Sequence, residues 1–208
     1  MDKFKTILWD FDGVIMDSMP VRDKGFEIVL KDYPNEQVSL LMEYHRNNGG
    51  LSRYHKFRYF FEQIRKQSIT ELEIQTLAEE FSKVMLENLL DSKLLIIDSL
   101  NFIVGNHHKF NMHIVSGSDQ KELRYICKTL GLSEYFISIH GSPTPKKELV
   151  RQLIEVNKYS KKELILIGDS INDLEAANVN EISFTGYNNE DLKKMTSNYI
   201  DSFINCQF

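Results

Sequence analysis

The sequence predicts an α/β protein, a doubly wound parallel sheet with a small all-α helical block inserted after its first strand. Three observations lead there. Short apolar runs closed by small or polar residues recur along the chain, helical patterns alternate with them in its second half, and residues 19–90 offer helical stretches without a convincing strand.

The first run, residues 6–9, is apolar and ends in Asp10-Phe-Asp-Gly, which reads as a buried strand followed by a turn. Helical stretches follow near 21–32, 36–46, 53–65 and 70–90, the last opening with Thr70-Glu-Leu-Glu like a capping box. Further strands are expected at 112–115, 135–139, 164–167 and 182–185, and helices at 119–130, 146–157 and 172–177. The division expected is an α/β core over 1–18 and 91–208, with a helical cap over 19–90, placed like a lid.

Bulk properties narrow the function classes. The chain has 208 residues, 42% hydrophobic and 26% charged, enough to bury a core. A net charge of −5 with scattered basic residues argues against a nucleic-acid partner. Cys127 and Cys206 form neither a metal-type nor a redox-type pair. No apolar signal core and no run long enough to span a membrane is visible, so a cytoplasmic protein, monomer or homodimer, is expected.

Ligands of an open parallel sheet bind beyond the carboxyl ends of its strands. The residues closing the expected strands are Asp10 and Asp12, then Ser116, then Asp169 with Asp173; Lys146 opens the helix after the 135–139 run. Several carboxylates, a hydroxyl and an ammonium suit phosphoryl transfer. A carboxylate can attack phosphorus, a second can protonate the leaving oxygen, and a lysine and a hydroxyl can offset the spreading charge. The carboxylates need a hard cation before a dianion can approach, and magnesium is the natural choice. Each element alone has a plainer reading, as a turn, a helix cap or a solvated helix start; their joint placement outweighs it.

These residues resemble the haloacid dehalogenase-like superfamily. Asp10-Phe-Asp-Gly-Val14 matches its first motif, Ser116 in Val115-Ser-Gly-Ser118 its second, Lys146 in Thr144-Pro-Lys-Lys-Glu-Leu149 its third, and Gly168-Asp-Ser-Ile-Asn-Asp173 its fourth. The resemblance implies a phosphatase with Asp10 as nucleophile and Asp12 as general acid/base. It implies that Ser116, Gly117 and Lys146 hold the phosphoryl group. It also implies Mg2+ bound by Asp10, the Asp12 carbonyl and Asp169, with Asp173 supporting. Lys147 competes with Lys146 for the lysine role.

Gly50-Leu-Ser-Arg53 resembles the substrate loop in the cap of β-phosphoglucomutases, which implies that Arg53 reaches a substrate's distal anion. Arg22 and Lys24 could face the cleft, with a solvated place the plainer expectation; Tyr54, Phe57, Tyr59, Phe60 and Phe61 are expected to be mostly cap core, and His140, close to the site in principle, to lie in a loop. The expected substrate is a small phosphorylated metabolite, a sugar phosphate or a phosphoglycolate-like acid. A phosphomutase, a phosphonate hydrolase using Lys56 as a Schiff base, and a non-catalytic binding protein are the competing readings.

Overall fold

The computed structural model describes residues 3–204, 206 and 208. Its strands form one parallel sheet in the order β3-β2-β1-β4-β5-β6. The first strand, β1 (Thr6–Trp9), is central, between β2 (Asn111–Asp119) and β4 (Leu164–Gly168). Beyond β2 lies β3 (Ser138–Ser142); beyond β4 lie β5 (Ser183–Tyr187) and β6 (Tyr199–Ile200). Successive strands build outward from β1 in both directions, so a crevice opens at its carboxyl end. Every residue of β1 is buried, with Ile7 and Trp9 in one apolar cluster and Leu8 in another, as alternation across a covered strand requires.

Four helices follow β1: α1 (Met19–Val29), α2 (Asn35–Asn47), α3 (Arg53–Tyr59) and α4 (Glu71–Asn88). Pro20 sits in the first turn of α1, where a missing N–H costs nothing. Ser52 caps α3, which widens into one π-helical turn over Phe60–Ile64. Thr70 and Glu73 close the capping box expected for α4. Phe26, Phe57 and Phe81 meet edge-on or tilted, with ring centroids 4.5–6.2 Å apart. They belong to the same apolar cluster as Trp9, so the helical block is continuous with one face of the sheet. Among the aromatics expected in its core, Phe57 and Phe60 are fully buried, whereas the Tyr54 hydroxyl reaches Asp119 at the end of β2.

The remaining helices are α5 (Ile97–Asn106), α6 (Gln120–Thr129), α7 (Lys146–Asn157), α8 (Ile171–Asn180) and α9 (Glu190–Met195). No described helix is long and apolar enough to cross a membrane.

Several expectations shift. The 135–139 run is not the strand: Ser133–Tyr135 form a short 3-10 turn, Ile137 is exposed, and β3 begins at Ser138. His140 therefore lies in β3 rather than in a loop, within hydrogen-bond reach of Ser138. β2 continues past Val115 because its register shifts and Asp119 pairs with Ser142. α5, α9 and β6 carry no strong sequence signal. α5 has no side-chain cap, and α9 and β6 are very short.

Candidate active site

The loops after β1, β2 and β4 and the start of α7 converge beyond the carboxyl ends of the strands. Asp10, directly after β1, is 2% exposed and receives the Phe11 N–H at 2.7 Å. The Lys146 ammonium stands 2.9 Å from its Oδ1 and also pairs with Asp173. Lys147, one residue on, is exposed. A Cβ on Gly13, whose φ is +73°, would fall 1.9 Å from Asp169 Oδ2, so this turn needs both the left-handed backbone and the bare Cα.

Asp173 is fully buried at the start of α8, where Ser170 and Asp173 form a reciprocal capping box. Its Oδ2 accepts from the Ser170 N–H at 3.0 Å and hydroxyl at 2.6 Å. Carboxylate oxygens of Asp10, Asp169 and Asp173 lie within 4.8 Å of one another. Burial and the neighbouring Asp173 push the Asp10 carboxyl well above its usual range and Asp169 up to about 8. Burial opposes charge on Lys146, but Asp10 and Asp173 hold its ammonium above the ordinary lysine value. Crowded hard oxygens that resist ionising together are a donor set suited to a hard divalent cation.

Asp12 is handled differently. Its Oδ1 accepts from the Ser18 hydroxyl and from Arg22 Nε at 2.6 Å, and its Oδ2 from the Ser118 hydroxyl. Burial alone would raise its pKa; Arg22, Ser118 and Ser18 outweigh burial and hold it below the carboxylate range. Ser116 is completely buried and its Oγ accepts from the Ser118 N–H at 3.1 Å. Gly117 faces the helical block: a Cβ there would meet the Gly50 carbonyl oxygen at 2.3 Å. The cleft next to Asp10, of about 280 Å³, is lined by Asp12, Gly117 and Asp169 from the sheet loops and by Met19, Arg46 and Gly50 from the helical block.

Arg22, expected to be solvated, is 7% exposed because it bridges Asp12 and Glu122. Lys24 is exposed. Arg53 is also buried: Nη1 meets Glu122 and Ser82 at 2.7 Å each, and the guanidinium lies 4.5 Å from the Phe81 ring centroid. Lys56 donates to His45 Nδ1 at 2.7 Å, and burial with the nearby Arg22 lowers its pKa to about 7. Glu122 in α6, which holds both arginines, has no motif around it.

Sequence reasoning also passed over Asn188 and Asn189, after β5. Asn188 Nδ2 donates to the Gly13 carbonyl at 2.9 Å and Asn189 Nδ2 to the Asp169 carbonyl at 2.6 Å, fixing both acidic loops. Their signal was available, since they close a strand at the same sheet edge.

Residues 7–187 match the family described as haloacid dehalogenase-like hydrolase. No curated protein matches the chain significantly. Among solved structures, a β-phosphoglucomutase from Clostridium difficile aligns with TM-score 0.79 and 18% identity, covering 99% of this chain and 94% of the other. CbbY from Rhodobacter sphaeroides, in complex with phosphate, gives 0.78 and 14%, with 99% and 96% covered. A predicted phosphoglycolate phosphatase from Haemophilus somnus 129PT gives 0.73 and 19%, with 98% and 96% covered. At these identities the likeness is one of fold.

Proposed function

The chain belongs to the haloacid dehalogenase-like hydrolases, and from that premise we propose that it is a magnesium-dependent phosphatase of a small phosphorylated metabolite. The observation that carries the reading is the pairing of Lys146 with Asp10 beside the Asp169 and Asp173 carboxylates. In this reading residues 1–18 and 91–208 are the catalytic core and 19–90 the cap.

Asp10 attacks phosphorus and forms an aspartyl-phosphate while the ester oxygen leaves. Asp12 gives that oxygen a proton, then takes one from the water that hydrolyses the intermediate. Lys146, Ser116 and the backbone at Gly117 hold the phosphoryl oxygens as charge spreads over them. Asp10, the Asp12 carbonyl, Asp169 and Asp173 would hold Mg2+, which when bound neutralises the carboxylates and the incoming dianion.

The mutase alternative leans on Arg53 reaching a distal phosphate; its contacts with Glu122 and Ser82 lend that no support. The test is phosphate release across a metabolite panel with magnesium, using Asp10→Asn as the blank. The expected result is turnover of at least one ester far above that blank. Rates equal to the blank on every ester would reject the reading.

A further inference from the structure

We propose that Arg22 reads a second anionic group on the substrate, and that its transfer from Asp12 to that group frees Asp12 to serve the leaving oxygen. The inference rests on the phosphatase reading and names the class of ester it would take: one bearing a carboxylate-sized anion besides its phosphate.

Arg22 is anchored at only part of its donor fork. Nε reaches Asp12 Oδ1 at 2.6 Å and Nη1 lies 3.4 Å from Glu122 Oε1. Nη2 is buried with no hydrogen-bond partner among the described residues. A buried N–H left without an acceptor is unfavourable, so this nitrogen is set to take one. Room exists for one. Arg22 lines a cavity of about 20 Å³ together with Asp12, Lys56, Arg53, Gly117 and Ser118. That space takes a water or one acceptor oxygen.

The charges around it point to an anion. Arg22, Arg53 and Lys56 are set against Asp12 and Glu122. Lys56 itself rests on two neutral acceptors, His45 Nδ1 at 2.7 Å and the Gly49 carbonyl at 3.3 Å. Burial and Lys56 hold the His45 ring neutral, with a pKa of about 2. Asp23, next to His45, is gripped at Oδ2 by Arg46 at 2.9 and 3.0 Å. Two guanidiniums face two carboxylates, and Lys56, whose pKa burial lowers to about 7, adds a partial positive charge, so the pocket favours an incoming anion over a further cation.

The same contacts immobilise Asp12. Both of its oxygens are occupied, by Ser18 and Arg22 on one side and Ser118 on the other. A carboxylate fully engaged in this way cannot reach a leaving oxygen until a donor lets go. Arg22 is the only charged donor of the three, and Arg53 stays tied to Glu122. When the substrate's anion takes Arg22, Asp12 is left with two neutral hydroxyls and can turn to the ester. An ester without that anion leaves the clamp closed.

Two matched pairs test this: 2-phosphoglycolate against 2-hydroxyethyl phosphate, and 3-phosphoglycerate against glycerol 3-phosphate. Members of each pair differ in carboxylate against hydroxymethyl. Wild type is expected to favour the carboxylate member of at least one pair by about tenfold or more in kcat/KM. Arg22→Met should lower kcat/KM on that member by roughly 100-fold, with KM raised, and abolish the preference for it over the hydroxymethyl member. Arg22→Lys should recover part of the preference. Should Arg22→Met fail to fold by circular dichroism, the reduced preference of Arg22→Lys carries the test. An equal loss on both members by a folded variant, or activity without carboxylate preference in either pair, overturns this inference alone. Release no faster than from Asp10→Asn on all four esters overturns this inference, and the phosphatase reading falls with it only when the whole metabolite panel also stays at the blank.

Discussion

Gly13 and Asp169 pack so closely that a Cβ on the glycine would lie 1.9 Å from the carboxylate oxygen. The backbone there is also left-handed, at φ +73°. Replacing Gly13 with alanine should therefore displace Asp169 and strain the turn, the conformational part alone costing about 1–2 kcal/mol. Melting temperature should fall and activity should drop by about 100-fold or more. A Gly13→Ala protein with wild-type kcat/KM would show that the two loops adjust independently.

Asp169 offers a test of the cation that does not require turnover. Magnesium at about one hundred times its dissociation constant should stabilise the fold by ~2.7 kcal/mol. For a chain of this size that is roughly 5–10 °C in melting temperature. Asp169→Asn removes one of the crowded carboxylates, so the metal-free variant should melt no lower than wild type and lose the magnesium response. A variant with an undiminished response would place the cation elsewhere.

Lys146 and Lys147 are neighbours with opposite surroundings, one inside the acidic cluster and one exposed. Lys146→Met should lower kcat by about 100- to 1,000-fold, the scale of losing a preorganised charge at a transferring group. Lys147→Met should stay within about threefold of wild type. Equal effects at both positions would remove Lys146 from the phosphoryl site.

Acid should weaken the fold through His113. Its ring is buried between Ser138, at 2.6 Å, and Tyr159, at 2.9 Å; burial first, and then His140, lower its pKa to about 4. The neutral ring is preferred in the folded state, so its contribution is complete above about pH 6.5 and is lost as pH falls toward 4. Urea unfolding at pH 7.5 and 4.5 should show wild type losing about 2 kcal/mol relative to His113→Gln. A gap that is the same at both pH values would mean the folded ring takes up its proton as freely as the unfolded one.

The sheet was legible because its inner strands are buried on both faces and so stand out as unbroken apolar runs ended by chemistry-bearing residues. Asp10, Asp12, Ser116, Lys146, Asp169 and Asp173 were singled out by position after such runs, and they meet at one edge. Ile137 misled for the same reason: it extends an apolar run while facing solvent, and the strand starts after it. α5 was missed because Ile96 offers no capping side chain and the helix is held instead by burial of Phe102 and Ile103. Arg22 was misjudged because its partners lie 10 and 100 residues away in sequence. A basic residue on an amphipathic helix reads as solvated until tertiary structure supplies the acid. Glu122 escaped notice for the complementary reason.

Asn188 and Asn189 carry a consequence for how such a centre can change over generations. Each carboxamide holds the backbone of one acidic loop, through Gly13 and Asp169, and neither side chain takes part in the proposed reaction. The spacing of the reactive carboxylates is thus governed from outside their own motifs. Selection can retune the tempo of the chemistry by altering a bystander amide, leaving the indispensable acids untouched, and a survey that tracked only those acids would miss the adjustment.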